Sequence, residues 1–305
     1  MIERTPVLNA LTHLILITGL VLVLLPFVIV LVAATKDLQG VNQVPMSLIP
    51  GRHLGENLAA AWDRADFGLK LVNSLVVAAG VTAGKIVLAA LSAFSIVFFR
   101  YRARMLVFWL IFTTLMLPLE VRIVPTYAIA ANALAPLQSV LDLTGLSDAV
   151  AWATDIQIHL EWNLLNSYTG LILPLIATAT GTFLYRQFFL TVPDELLEAS
   201  KMDGAGAMRF FVEILVPLSR TNMLALAAIL FVYSWNQYLW PLLVTTDQSF
   251  STAVMQLKRM IPTFQGGLPD WNVAMAATLI VMVPPLLVVA LMQRWFVRGL
   301  IATEK

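Results

Sequence analysis

The chain has 305 residues, 59% of them hydrophobic and 12% charged, against about 25% charged in an ordinary soluble domain, so its solvent is lipid rather than water. Nineteen basic residues against eighteen acidic ones leave a formal charge of +1, and no global field points to nucleic acid or to an acidic partner. The absence of cysteine excludes disulfides, thiolate metal sites and thiol catalysis, and His13, His53 and His159 are too scattered for a metal cluster.

A helix needs about 20 apolar residues to cross a hydrocarbon core of about 30 Å. Six stretches qualify, at residues 11–33, 71–99, 105–125, 168–188, 221–241 and 272–292. The first ends in Val32-Ala33-Ala34, a small-residue run of the kind signal peptidase cuts, but its apolar part is too long for a signal peptide and predicts a retained span. Basic residues are retained on the cytoplasmic side. Arg4, Arg100, Arg102, Arg104, Arg186, Lys201, Arg209, Arg220, Arg294, Arg298 and Lys305 lie in or beside the connections of one face. Lys36, Arg52, Arg64, Lys70, Arg122, Lys258 and Arg259 are counted to the opposite face, spread over much longer loops. Both termini are therefore expected in the cytoplasm. The expected organisation is a first span with its external loop over 1–70, a permease core over 71–295 and a cytoplasmic tail over 296–305.

The second span contains Gly80-Val81-Thr82-Ala83-Gly84-Lys85-Ile86, the nearest approach to a phosphate-binding loop. Its glycines are one residue too close, it lacks the final Ser/Thr, and it lies within an apolar span, so ATP must bind another polypeptide. No nucleophile, base and orienter are readable together, and no catalysis is expected.

Ionisable residues inside spans are costly and are functional candidates. Counted at about 1.5 Å per residue, Lys85, Glu120 and Arg122 reach similar depths in the outer half. Arg122 offers a planar fork suited to phosphate and Lys85 a point charge beside it. Plainer readings pair Lys85 with Glu120 and let Arg122 snorkel to the headgroups. Pro118, Pro125 and Pro284-Pro285 read as kinks. In the fifth span Tyr233, Asn236, Gln237 and Trp240 fall at i, i+3, i+4 and i+7, which would put them on one face to meet a hydroxylated solute. Trp240 also suits an interfacial aromatic belt.

The connection 190–219 is too polar to cross lipid. Thr191, Pro193, Asp194 and Glu195 predict a helix start, with the acids at the positive end of the dipole. Asp203-Gly204 predicts its end in a left-handed turn, with Asp203 free to cap the next helix. That second, short helix is expected to present Met208, Phe211, Ile214 and Leu215 before Pro217 ends it, giving a helix-turn-helix with an apolar face for a partner groove.

Glu198-Ala199-Ser200, then Asp203-Gly204-Ala205, Phe211, Ile214 and Pro217 resemble the coupling-loop signature of the permease subunits of bacterial ABC importers, with Ser200 where alanine is usual. Asn73-Ser74, the run Trp235 to Leu242 and the ending Gln293 to Leu300 resemble the carbohydrate-uptake type. Met116 to Ile123, Arg186-Gln187-Phe188-Phe189 and Met208-Arg209-Phe210-Phe211 resemble the permeases of the sn-glycerol-3-phosphate importer. Residues 134–162 stand out as an insertion in that pattern.

The resemblance implies an all-α, polytopic subunit of six transmembrane helices with the MetI-like fold in the bacterial inner membrane. It implies ATPase coupling through Glu198, Ala199, Asp203, Gly204, Ala205 and Phe211. The implied partners are a second, related permease, two ATPase subunits holding ATP and magnesium, and an extracytoplasmic solute-binding protein. Lipid surrounds the chain, which takes no cofactor and no nucleic acid. The implied cargo is sn-glycerol 3-phosphate or glycerophosphodiesters, and an oligosaccharide or polyol is the alternative. An ion-coupled secondary transporter is disfavoured because neither internal repeats nor broken helices are visible in the sequence. A simple membrane anchor leaves Asn236, Gln237 and the outer-half charges unexplained.

Overall fold

The computed structural model describes residues 6–262 and 268–301. Arg4 and Lys305, which bear on the orientation, lie outside them, as do the side chains of Arg294 and Arg298. The described residues form helices and no strand. The chain divides into two compact units, Met1–Leu71 with Met255–Pro284, and Val72–Val254 with Pro285–Lys305.

In the first unit α1 (Pro6–Ala34) is apolar all round, and its side chains stand exposed along most of its length, the signature of a helix that faces lipid or another protein rather than its own chain. Thr35 closes it, the hydroxyl donating to the Val32 carbonyl at 2.6 Å. Asp37 caps the short α2 (Leu38–Val41) by accepting from the Gly40 amide at 3.0 Å. The amphipathic α3 (Leu54–Ala65) buries Asn57, Ala61 and Ala65 along one face. Asn57 donates to the Ala34 and Lys36 carbonyls at 2.8 and 2.7 Å and accepts from Asn272 at 2.8 Å, so one amide fastens the end of α1 to the start of the last helix.

The second unit is built on α4 (Phe67–Phe98), which begins in the first unit and runs 32 residues without interruption. The span expected over 105–125 is instead two 13-residue helices, α5 (Arg104–Met116) and α6 (Leu119–Ala131). Leu117 is extended at φ −65°, ψ 130°, the conformation imposed on a residue that precedes proline. Pro125 lies inside α6 and does not break it. The hairpin α7 (Ala135–Leu143) and α8 (Leu146–Thr154) fills the insertion. The span expected over 168–188 is likewise broken, into α9 (Tyr168–Ile172), a single tight turn through Pro174, and α10 (Ala179–Phe189), bent by 50°.

Beyond α10 come α11 (Asp194–Met202) and α12 (Ala207–Phe210). A wide turn over Phe211–Leu215 then leads directly into α13 (Val216–Trp235). Pro217 therefore opens α13 rather than ending a short helix. After α14 (Leu239–Val244) and α15 (Ala253–Arg259), α16 (Trp271–Ile301) carries Pro284-Pro285 without a break and continues through most of the expected tail. Four described helices are long and apolar enough to cross a membrane, and the bent pair makes a fifth. The expectation of six spans holds only if α5 and α6 together count as one. The expectation that no helix is broken is overturned at Leu117-Pro118, at Pro174 and after Trp235.

Two apolar clusters order the second unit. One gathers Ala93 and Phe94 of α4, Tyr185 and Phe189 of α10, and Phe210, Phe211 and Leu215. The other gathers Val77 and Val81 of α4 with Leu171, Leu175, Trp240 and Val244. Between them Gly80 and Gly84 let α4 approach the broken span closely. A Cβ on Gly80 would lie 2.7 Å from Ile172 Cδ1, and one on Gly84 would collide with Ile176. The glycines that imitate a phosphate loop are thus packing residues.

Candidate functional site

The polar segment between α10 and α13 folds as a helix-turn-helix. Asp194 and Glu195 occupy the first turn of α11 and Lys201 the last, each favourable to the helix dipole. The caps differ from expectation. Pro193 holds the N-cap position with no side-chain bond, Thr191 instead donates to the Phe188 carbonyl at 2.7 Å, and Gly206 rather than Asp203 precedes α12.

The end of α11 is a Schellman motif. The Ala205 amide donates to the Ser200 carbonyl at 2.9 Å and the Gly204 amide to the Lys201 carbonyl at 3.0 Å, with Gly204 left-handed at φ +73°. Glu198, Ala199, Asp203 and Gly204 are exposed on this knuckle, and Ala205 is half-buried.

Ser200 is the one buried residue of α11, so the position that usually carries alanine faces inward and requires a small side chain. Phe211 and Leu215 are also buried, against expectation. The Phe211 ring packs 5.0 Å from that of Phe94. The large apolar groups left outside are Leu190, Leu196, Met202, Met208 and Val212.

The polar residues of the spans separate into two groups. Trp240 is fully buried in the second cluster, its indole N–H donating to the Gly170 carbonyl at 3.1 Å. It does not share a face with Tyr233, Asn236 and Gln237, because α13 ends at Trp235 and the chain turns before α14. Asn236 is exposed at that break and Gln237 is half-buried, its amide 3.5 Å from the Tyr233 carbonyl.

Lys85 is 6% exposed and its ammonium lies 4.4 Å from the centroid of the Tyr233 ring. Arg122 lies half-buried on α6 next to Ile123, which packs against the cluster that holds Val81, one turn before Lys85 on α4. Its Nε is shielded from solvent and makes no hydrogen bond. Glu120 is exposed, and among the described residues no carboxylate lies within 4.0 Å of Lys85. The ion pair considered between Lys85 and Glu120 is therefore not formed.

The sequence reading gave no role to Thr82 and only a family likeness to Asn73. Thr82, one turn before Lys85 on α4, has a buried hydroxyl without a partner, and its i, i+3 spacing from Lys85 was the available signal. Asn73 is fully buried. It donates to the Ser249 and Ser251 carbonyls at 2.6 and 3.0 Å and accepts from the Tyr168 hydroxyl at 2.7 Å. It fastens α4 and α9 to the loop after α14.

The sequence model of the family described as binding-protein-dependent transport system inner membrane component matches residues 85–302. The chain is 50% identical to the sn-glycerol-3-phosphate transport system permease protein UgpE of Yersinia pestis bv. Antiqua (strain Antiqua). It is 49% identical to that of Pectobacterium atrosepticum and 47% identical to that of Escherichia coli O157:H7, in each case over 100% of both chains. A solved structure of a bacterial ABC transporter involved in the import of the acidic polysaccharide alginate superposes with a TM-score of 0.73. It covers 97% of this chain and 99% of that chain at 15% identity. At that identity the likeness speaks for the fold alone, and it bears out the all-α permease architecture.

Proposed function

Because the chain belongs to the family of binding-protein-dependent transport system inner membrane components, we propose that it carries sn-glycerol 3-phosphate across the bacterial inner membrane as a permease subunit of an ATP-driven importer. The observation that carries the choice of cargo is the 47–50% identity, from end to end, to permeases named for that compound. The chain is a transport subunit and not an enzyme. A second permease completes the channel, two ATPase subunits bind ATP and magnesium, and an extracytoplasmic protein delivers the solute. Glycerophosphodiesters are the secondary cargo.

In this reading both termini are cytoplasmic and the knuckle from Glu198 to Ala205 sits in a cleft of an ATPase subunit. Glu198, Ala199, Asp203 and Gly204 meet the partner directly. Phe211, buried against Phe94, ties the knuckle to α4. Asn236 and Gln237 at the break after α13, with Tyr233, Lys85, Arg122 and Glu120, line the solute path. Trp240 supports that path from the core.

ATP-dependent uptake by the reconstituted complex tests the proposal, with glycerol 3-phosphate, a glycerophosphodiester and a neutral disaccharide at equal concentration. Preference for a phosphorylated compound is expected. Preference for the disaccharide would overturn the cargo and leave the family membership standing.

A further inference from the structure

We propose that Lys85, Arg122 and Thr82 form a subsite for a doubly charged phosphoryl group, in which Tyr233 is the positioning residue for Lys85. The proposal rests on the phosphate-importer reading above and narrows it: the preferred cargo is a phosphate monoester, and diesters are disfavoured by their charge.

The first argument is an uncompensated charge. Lys85 is 6% exposed within an apolar helix, where an isolated ammonium is costly and ordinarily finds a carboxylate. No carboxylate lies within 4.0 Å of it among the described residues. The Tyr233 ring, 4.4 Å away, offsets part of the cost through its negative face. A ring does not neutralise a charge, however, and Arg122, next to Ile123 on α6, which packs against the cluster that holds Val81, brings a second positive charge to this stretch of α4. Two neighbouring cations with no acid between them repel one another, and the arrangement is relieved when an anion sits against both.

The second argument is an uncommitted hydroxyl. Threonine within a helix commonly donates back to the carbonyl four residues earlier. In this chain Thr113, Thr126 and Thr278 do so, to Trp109, Arg122 and Ala274. Thr82 does not, although its hydroxyl is buried. It lies on the same face of α4 as Lys85, one turn away. An ammonium, a guanidinium with a shielded free Nε and a free hydroxyl are a donor set suited to phosphate oxygens.

The third argument is charge balance. A phosphate monoester carries about −1.5 to −2 at neutral pH and can match both cations. A diester carries a single negative charge and leaves one cation uncompensated, and a neutral sugar leaves both. Tyr233 contributes by holding the ammonium in place before the solute arrives, so that less side-chain freedom is lost on binding.

The test uses the complete reconstituted complex with glycerol 3-phosphate and glycerophosphoglycerol as monoester and diester. Equilibrium binding of inorganic phosphate to the detergent-solubilised complex is measured separately. The wild type is expected to favour the monoester in KM. Lys85→Met and Arg122→Gln should each raise the monoester KM about tenfold or more, the scale of one lost charge-assisted contact, with a smaller effect on the diester and little change in kcat. Thr82→Val should act in the same direction more weakly. Tyr233→Leu should lose part of the monoester preference, and Tyr233→Phe, which keeps the ring face, should restore it.

A preference unchanged by Lys85→Met and Arg122→Gln while both compounds are still imported would overturn the subsite and leave the phosphate-importer reading intact. Import of a disaccharide and of neither phosphorylated compound would instead overturn that reading. In that case phosphate binding by the wild type, lost in Lys85→Met, still supports an anion subsite, and absence of such binding overturns it.

Discussion

Replacing Gly204 isolates the contribution of one backbone conformation to coupling. A Cβ at this position would meet nothing within 4 Å, so a substitution acts through the backbone and not through a clash. Gly204 sits at φ +73°, where an ordinary L-residue is disfavoured by roughly 1–2 kcal/mol. Gly204→Ala should therefore lower the population of the intact turn by a factor of up to about 5–30, and apparent affinity for the ATPase falls with that population. Gly204→Asn should cost less, because asparagine tolerates the left-handed region. Gly204→Pro cannot reach the required φ and removes the amide that donates to the Lys201 carbonyl at 3.0 Å, so it should abolish docking. The assays are ATP-dependent uptake and the amount of ATPase retained when the complex is purified through this chain. The expected order is Gly, Asn, Ala, Pro from strongest to weakest. Wild-type uptake and ATPase retention in Gly204→Pro would refute the coupling assignment, and an asparagine variant worse than alanine would refute the argument from the left-handed turn.

Asn73→Ala should leave the Ser249 and Ser251 carbonyls and the Tyr168 hydroxyl without their partner, at about 1–3 kcal/mol for each group left buried and unpaired; a clearly lowered Tm of the complex in detergent checks it. Trp240→Phe leaves a smaller ring in a fully buried site and strands the Gly170 carbonyl, so a loss of at least about 1–3 kcal/mol in stability is expected with solute KM unchanged. At the surface, Glu56 hydrogen-bonds His53 at 2.9 Å and raises its pKa above 6.5, the Asp37 charge acting in the same direction. The stabilisation from that pair should be fully present below pH 6.5 and fade as pH rises through the raised folded-state value, and titration of His53 by NMR should show the upward shift reduced in Glu56→Gln.

The six apolar runs and the knuckle were legible because each depends on local signals: hydrophobic length, acids in a first turn, and an Asp-Gly stop. The behaviour of individual prolines was not legible. Pro118 and Pro174 break their helices, whereas Pro125, Pro217 and Pro284-Pro285 are absorbed. Pro217 shows why. Its ring would press on the carbonyl of Glu213 in a regular helix, but the wide turn over Phe211–Leu215 carries that carbonyl out of register. The break after Trp235 misplaced Trp240 for a related reason, since spacing at i+7 defines a face only while the helix continues. Likewise the burial of Phe211 and Leu215 is set by α4 and α10, which are distant in sequence, and no local pattern could reveal it.

The continuous helix connects the two candidate regions. Near one end of α4, Phe94 lies 5.0 Å from Phe211, and Phe98 lies 5.4 Å from Phe210 and 6.0 Å from Phe189, so the segment leading out of the knuckle is packed onto this helix. Lys85 lies nine residues before Phe94 on the same helix, roughly 14 Å along it, beneath the ring of Tyr233. The breaks in this part of the chain fall in α5–α6, α9–α10 and α13–α14, and none falls between Lys85 and Phe98. A rigid element that bears the buried cation at one point and the aromatic contacts of the knuckle at another cannot shift at one without displacing the other. Under the roles proposed above, ATPase docking and anion binding would share this mechanical element without any need for contact between the two sites.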